Sequence, residues 1–418
     1  MSNFYKSAIR GDIPKDWSLV SLDKIADVTA GGTPSTKVSE YWGGDIPWMN
    51  SGEINLRRIK DVENRITKLG LENSSTKIID KNSVLMALAG QGKTRGKVAI
   101  NEIALCTNQS LATIYNFNDA NYEFIFQNLE SRYSEIRKMS TGDGGRGGLN
   151  LKIIKSIKIA LPPLPEQQKI ADILSTVDAK IEVIYQQITE TQELKKGLMQ
   201  RLLTKGIGHT EFKESPMGEI PKSWEVVKIS EVTSYVDYRG KTPPKVNSGI
   251  LLVTARNIKM GKIDYEVSKE FIPSDLYESV MSRGIPKIGD VLITTEAPLG
   301  NIASVDKEDI ALAQRVIKYR GNKDVLDNSY LKQYMLGSVF QRLLKRQSTG
   351  STVKGIKGSV LHKLNIALPS IEEQQKIAEV LTSVDEKLEV LSEKKITYQE
   401  LKKGLMQQLL TGKVRVSV

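Results

Sequence analysis

Leu161-Pro162-Pro163-Leu164-Pro165-Glu166-Gln167-Gln168-Lys169-Ile170-Ala171 occurs in this chain a second time, as Leu368-Pro369-Ser370-Ile371-Glu372-Glu373-Gln374-Gln375-Lys376-Ile377-Ala378. The likeness runs on: Leu194-Lys195-Lys196-Gly197-Leu198-Met199-Gln200 returns as Leu401-Lys402-Lys403-Gly404-Leu405-Met406-Gln407. It also reaches back, because Gly11-Asp12-Ile13-Pro14-Lys15-Asp16-Trp17 matches Gly218-Glu219-Ile220-Pro221-Lys222-Ser223-Trp224. Each pair is 207 positions apart (Glu166 to Glu373, Leu194 to Leu401, Gly11 to Gly218), about half of the 418 residues. The chain is one unit duplicated.

The best-matched stretch reads as a long helix. From Glu166 to Leu203 there is no proline, and apolar residues fall at Ile170, Leu174, Val177, Ile181, Ile184 and Ile188 in a 4-3-4-3 rhythm. The second copy repeats the rhythm at Ile377, Leu381, Val384, Leu388 and Leu391. Pro165 suits a first helical turn, and Ser370 with Glu373 forms a candidate capping box. At 1.5 Å per residue each helix is about 57 Å long, too long to bury its stripe alone. The two are therefore expected to pair. Beyond Ile188, Thr191 and Lys195 fall on seam positions, as do Lys395, Tyr398 and Lys402 in the second copy. Either the pair splays there or the stripe moves to Leu194, Leu198 and Leu202. Gly197 and Gly404 cost about 1 kcal/mol each against alanine, which points to close helix approach, to a partner contact or to simple tolerance. Antiparallel pairing would relate the helices by a local two-fold axis and hold the two modules inverted, a symmetry that duplex DNA shares.

Between the helices the copies drift. Residues 1–162 and 218–369 mix β-rich runs (Ser83–Ala89, Ile250–Thr254, Asp290–Thr295) with helical periodicity near Tyr122–Lys138 and Ser329–Arg346. The fold class is thus α+β: two globular α/β modules and two long helices forming an antiparallel coiled-coil pair. The expected domains are 1–162, a helix over 163–204, a linker over 205–217, a second module over 218–369 and a second helix over 370–412. One segment kept and one allowed to drift imply a shared task and a differing task.

The formal charge of +11 and the sequence pI near 9.3 favour a polyanionic partner. One cysteine excludes an internal disulfide and suits a reducing cytoplasm, and with two histidines it excludes most metal sites. No apolar stretch is long enough for a membrane span, and the N-terminus lacks the features of a signal peptide. In the first module Trp48, Asn50, Arg57, Arg58, Lys60, Gln91, Lys93, Arg95, Asn108, Gln109 and Arg146 lie in or near expected loops. In the second, Arg239, Lys241, Thr254, Arg256, Asn257, Lys259, Gln314, Arg315, Lys354 and Lys357 do so. These are the candidate DNA contacts: arginine grips guanine with two bonds, asparagine or glutamine does so for adenine, and lysine meets phosphate. Gly92-Lys93-Thr94 invites comparison with a phosphate loop, but Ala87 stands where the first glycine belongs. Gly142–Gly148 is glycine-rich without a clear following helix, and a hydrolase triad has only His209 and His362 to draw on.

Ile13-Pro14-Lys15-Asp16-Trp17, then Ala160-Leu161-Pro162 running into Glu166-Gln167-Gln168-Lys169-Ile170-Ala171, together with their second copies, resemble the specificity subunits of type I restriction–modification systems. The resemblance covers essentially the whole chain, and the second copy departs mildly at Ser370-Ile371-Glu372. It implies two target recognition domains, each reading one half of a split sequence in double-stranded DNA. It implies helices that set the spacer and dock two methyltransferase subunits, and further partnership with restriction subunits. S-adenosylmethionine would then sit on the methyltransferase subunits, ATP and magnesium on the restriction subunits, and no catalytic machinery on this chain. Because the modules differ, the expected target is asymmetric. The competing reading is a coiled-coil scaffold presenting two ligand-binding modules; a variant phosphate-loop ATPase comes third.

Overall fold

The structure is a computed structural model. It describes all residues except 1–4, 7–12, 91–92, 141–146, 239, 241–242, 352 and 418. Two compact units emerge, and their boundaries differ from those expected along the chain. The first comprises residues 1–185 and 393–418, the second residues 186–392. Each unit therefore holds one globular head and parts of both long helices.

The head of the first unit is built on a five-stranded sheet. Its order is Asp27–Ala30, Leu111–Tyr115, Val84–Ala87, Val98–Asn101, Arg58–Ile59. Val84-Leu85-Met86-Ala87 is an unbroken apolar run because both of its faces are covered. A smaller sheet orders Cys106–Thr107, Trp42–Met49 and Asn64–Ile66, its first pair parallel. The second head repeats the plan. Four strands run in the order Thr233–Asp237, Val316–Gly321, Val291–Thr295, Leu299–Ser304. A smaller sheet orders Phe271–Ile272, Ile250–Val253 and Ile310–Leu312, its last pair parallel. The expected helical stretches each resolve into two helices, Tyr122–Ser131 with Tyr133–Lys138, and Asn328–Leu336 with Ser338–Gln347.

The long helices span Leu164–Lys205 and Ile371–Leu409. In the first unit Glu166 meets Arg415, Asp178 meets Lys402, and the Lys395 ammonium lies 4.8 Å from the centre of the Tyr185 ring. Numbers rise along one helix as they fall along the other, so the pairing is antiparallel. In the second unit the sense is the same, with Lys195 on Asp385 and the Ile207 N–H on Glu373.

The stripe divides its work. Ile170 and Leu174 enter the core of the first head together with Leu405, Met406 and Leu409 of the other helix and Leu410 just beyond it. Ile377 and Leu381 do the same in the second head with Leu198, Met199, Leu202 and Leu203. Val177, Ile184 and Leu391 are buried, whereas Ile181, Ile188, Val384 and Leu388 are half-buried. Ile170, Leu174, Ile377 and Leu381, expected on the seam between the helices, also pack against the head, which supplies a third surface. Of the two alternatives past Ile188, the shifted stripe is taken up by Leu198 and Leu202, while Leu194 is exposed. Thr191 is buried, Lys195 and Lys402 are ion-paired, and Lys395 lies over the Tyr185 ring. The chain leaves each helix through a left-handed glycine, Gly206 (φ +64°) and Gly412 (φ +70°); a Cβ on Gly412 would lie 2.5 Å from Pro14.

Candidate nucleic-acid interface

Two kinds of polar constellation recur in both heads, one inward and one outward. The inward one explains the repeated Glu-Gln at Glu166-Gln167 and Glu373-Gln374. The Trp17 indole N–H donates to Glu166 at 3.1 Å, and that of Trp224 to Glu373 at 3.0 Å. Gln167 is fully buried; its amide donates to the Asp119 and Pro162 carbonyls and accepts the Asn121 N–H at 2.8 Å. Gln374 does the same with Val325, Pro369 and Asp327. One side chain thus ties the start of the long helix to the cap of the head's own helix, satisfying groups that burial would otherwise leave unpaired. Glu166 further receives Arg415 at 2.7 Å, and His209 Nε2 stands 2.9 Å from Glu373. The capping box foreseen at Ser370 forms only by half: Ser370 accepts the Glu373 N–H, but the Glu373 carboxylate is taken by Trp224, Ile207 and His209.

A second inward pair is reciprocal in the repeat. Lys402 sits 2.8 Å from Asp178, and Lys195, its counterpart, sits 2.5 Å from Asp385, the counterpart of Asp178. Gln127 and Gln333 donate to the same aspartates. The first unit adds Arg57, bonded to Asp178 at 2.8 Å and to Glu130, which also takes Lys402 at 2.7 Å. Burial opposes ionisation of Asp178 and Glu130, but Arg57 and Lys402 outweigh it and hold both carboxyls below their usual range.

The outward constellation is an edge of loops. In the first head, Asn108–Ser110 connects two strands; the Asn108 N–H bonds Met49 O at 3.0 Å and the Ser110 carbonyl accepts the Leu88 N–H at 2.9 Å. In the second, Ala313–Arg315 is the matching connection, with Ala313 N–H on Val253 O at 3.0 Å and Thr295 N–H on Arg315 O at 2.9 Å. A further loop closes each edge: Leu149 N–H bonds Leu88 O, and Ile356 N–H bonds Thr295 O. The same backbone clasps therefore gather the same loops in both heads, while their side chains differ.

In the second head the edge brings together Thr254, Arg256, Gln314 and Arg315, which line a cavity of about 260 Å³ with Lys245, Glu270 and Ala297. Arg315 holds a left-handed backbone (φ +74°) and reaches Glu296. Lys354 and Lys357 are exposed on the closing loop, whose Gly355 bridges to Glu296. Lys259 stands apart on the turn to Lys262. In the first head Asn108, Gln109 and the exposed Lys93 share the corresponding edge. Gln91, Arg146, Arg239 and Lys241 lie outside the described residues.

The remaining candidates, Lys60 apart, are engaged within the protein. Trp48 is buried, donates to Gly32 O at 2.9 Å and meets Trp42 edge-on. Asn50 caps the turn Ser51–Leu56. Asn257 is fully buried, bonded to Thr254, Asp264 and Ser268. Arg95 is buried and donates to Gly147 O. Arg57 and Arg58 lie over the Phe126 ring, Arg58 pairing with Glu123 at 2.6 Å and Glu102 at 3.6 Å. Together with exposed Lys60 they line a cleft of about 930 Å³ between the first head and the first long helix. Burial, which residue type alone does not reveal, makes Trp48, Arg95 and Asn257 part of the interior, while Asn50, Arg57 and Arg58 are half-buried and bonded within the first unit. The stretch after Val84–Ala87 leads into the strand Val98–Asn101 and not a helix, so Lys93 lacks the architecture of a phosphate loop. Both histidines are engaged, His209 with Glu373 and His362 with Tyr319 at 2.7 Å.

The reciprocal Asp–Lys pairs were missed by residue-type reasoning. Their signal was present: both members recur at the repeat distance.

Comparison with known proteins gives a consistent picture. The family model described as type I restriction modification DNA specificity domain matches twice, at residues 14–193 and 221–398. The specificity subunit of type I restriction enzyme MjaVIII from Methanocaldococcus jannaschii is 29% identical, over 97% of this chain and 94% of its own. The EcoR124I/EcoR124II specificity subunit from Escherichia coli is 27% identical over 46% of this chain and 49% of its own. Among solved structures, the S subunit of a type I restriction–modification system from M. genitalium shares the fold, with a TM-score of 0.61 and 14% identity over 97% of this chain and 98% of that one.

Proposed function

This chain belongs to the type I restriction–modification DNA specificity family, and from that premise we propose that its two loop edges each read one half of a split, asymmetric target in double-stranded DNA. The observation that carries this reading is the pairing of matching backbone clasps with loops of different sequence. Half-buried Asn108 and Ser110 flank exposed Gln109 on one loop, where buried Ala313 and exposed Arg315 flank exposed Gln314 on the other. The net charge of +11 supplies the sequence-independent attraction to phosphate.

In this reading the paired helices set the unread spacer and offer two methyltransferase subunits a repeated docking face. Leu194 with Gly197 marks that face in one copy, and exposed Leu401 with Gly404 marks it in the other. S-adenosylmethionine belongs to the methyltransferase subunits, and ATP with magnesium to restriction subunits. This chain contributes recognition and no bond-making step, and it works on DNA in the cytoplasm.

A salt titration of duplex binding by the complex with its methyltransferase subunits tests the reading. A steep fall in affinity with rising salt, together with preference for one split sequence over scrambled competitor, is the expected result. Weak binding that ignores both salt and sequence would leave a scaffold as the better description. Arg256→Ala is expected to relax discrimination at one base pair of the second half-site by about 1–3 kcal/mol.

A further inference from the structure

The loops at the two edges differ between the heads at most positions. After the strand ending at Met49 the first head places exposed Gly52, where the second, after Val253, places exposed Arg256. In the three-residue connection, Asn108 stands against Ala313 and Ser110 against Arg315. The middle residue is the exception. It is glutamine in both, Gln109 and Gln314, and both are exposed.

The two are equivalent by bonding and not by the repeat count, since their separation is two short of 207. Each is flanked by the same pair of clasps, an N–H to the preceding parallel strand and a carbonyl to the neighbouring strand end. Each glutamine therefore holds the middle position of the matching loop. In the first head the Thr33 hydroxyl donates to Gln109 Oε1 at 2.5 Å, which orients the amide while leaving its N–H donors and a second lone pair. Gln314 lines the cavity with Arg256 and Arg315. A glutamine amide matches the N6 donor and N7 acceptor of adenine in the major groove and fits no other base with both bonds.

We infer that Gln109 and Gln314 read a letter common to both half-sites, an adenine at matching distances from the spacer, and that their neighbours supply the letters that differ. The inference rests on the proposed reading of DNA by the loop edges. Thr33 acts as a positioning residue for the first of the two glutamines.

The test uses the complete complex with its methyltransferase subunits, and maps methylated motifs in host genomic DNA for the wild type, Gln109→Ala and Gln314→Ala. Duplexes carrying each single base replacement of the mapped target then measure discrimination. Gln314→Ala is expected to lose preference for adenine at one position of one half by about tenfold or more, with every other letter retained. Gln109→Ala should do the same at the matching position of the other half. Gln314→Glu, which keeps the shape but removes the amide donor, should lose the same letter. The inference is overturned if the wild-type target lacks adenine at matching places, if the relaxed letters are other bases, or if methylation drops uniformly with all letters kept. A wild-type complex that methylates no split motif at all would instead remove the underlying reading.

Discussion

At the scale of residues, the informative polar groups are those that face inward. Lys402 is held by both Glu130 and Asp178, with Arg57 completing a four-charge cluster that is largely closed to solvent. Its counterpart Lys195 meets only Asp385 among the described residues, and that pair is more exposed. Removing one member of a closed cluster leaves an uncompensated buried charge, so Lys402→Met is expected to destabilise the first unit by about 3 kcal/mol. Lys195→Met should cost about 1 kcal/mol, as partly exposed pairs do. Denaturant unfolding of the two variants checks the order; equal losses would show that Arg57 and Glu130 add nothing. The same cluster sets an acid dependence. Asp178 and Glu130 titrate below their unfolded values, so their contribution is intact above a pH of about 4 and is lost as pH falls through the depressed folded values. Thermal melting followed from neutral to acid pH should show that loss in the wild type, and a shallower one in Lys402→Met.

At the scale of elements, the long helices combine a repeated cost with a repeated exposure. A Cβ placed on Gly197 or Gly404 would meet nothing within 4 Å, so close approach of the other helix does not explain either glycine. Of the three meanings left open by sequence, partner contact and tolerance remain. Gly197→Ala and Gly404→Ala are each expected to raise helix stability by about 0.5–1 kcal/mol. Under the docking proposal, both also weaken capture of the methyltransferase subunit, measured by titration of that subunit onto the chain. Stabilisation with unchanged capture would assign the glycines to tolerance. Residue spacing showed that helices exist here and where their stripes lie. It did not show that Ile170, Leu174, Ile377 and Leu381 serve the heads as well, because a stripe has no label for the surface that covers it.

At the scale of the whole molecule, duplication separates two tasks. Exchanging residues 218–369 for another head should replace the letters of one half-site and preserve the other half and the spacer, as read by methylome mapping; change in both halves would contradict independent reading. Inserting four helical residues after Gln187 lengthens the first helix by about 6 Å, close to two base-pair steps of about 3.4 Å. That insertion leaves Glu166, Gln167 and Asp178 in place, so the preferred spacer is expected to lengthen with both sets of letters unchanged. An unaltered spacer would remove the helix from the role of ruler.

Sequence alone determined the duplication, the helices, the α/β character of the heads and the outward loops, because each rests on local periodicity or on direct comparison of the chain with itself. Glu166, Gln167 and their copies were legible as a repeated motif. Their task as a clasp between helix and head was not, since Trp17 and Trp224 lie 149 positions away from their partners. Only tertiary structure separated Arg57, Arg58, Asn50, Asn257, Trp48 and Arg95, bonded within the heads, from Arg256, Gln314 and Arg315, which line the cavity at the edge. The physical reason is that a polar side chain's task is set by what surrounds it, and those surroundings are assembled from residues far apart in the chain.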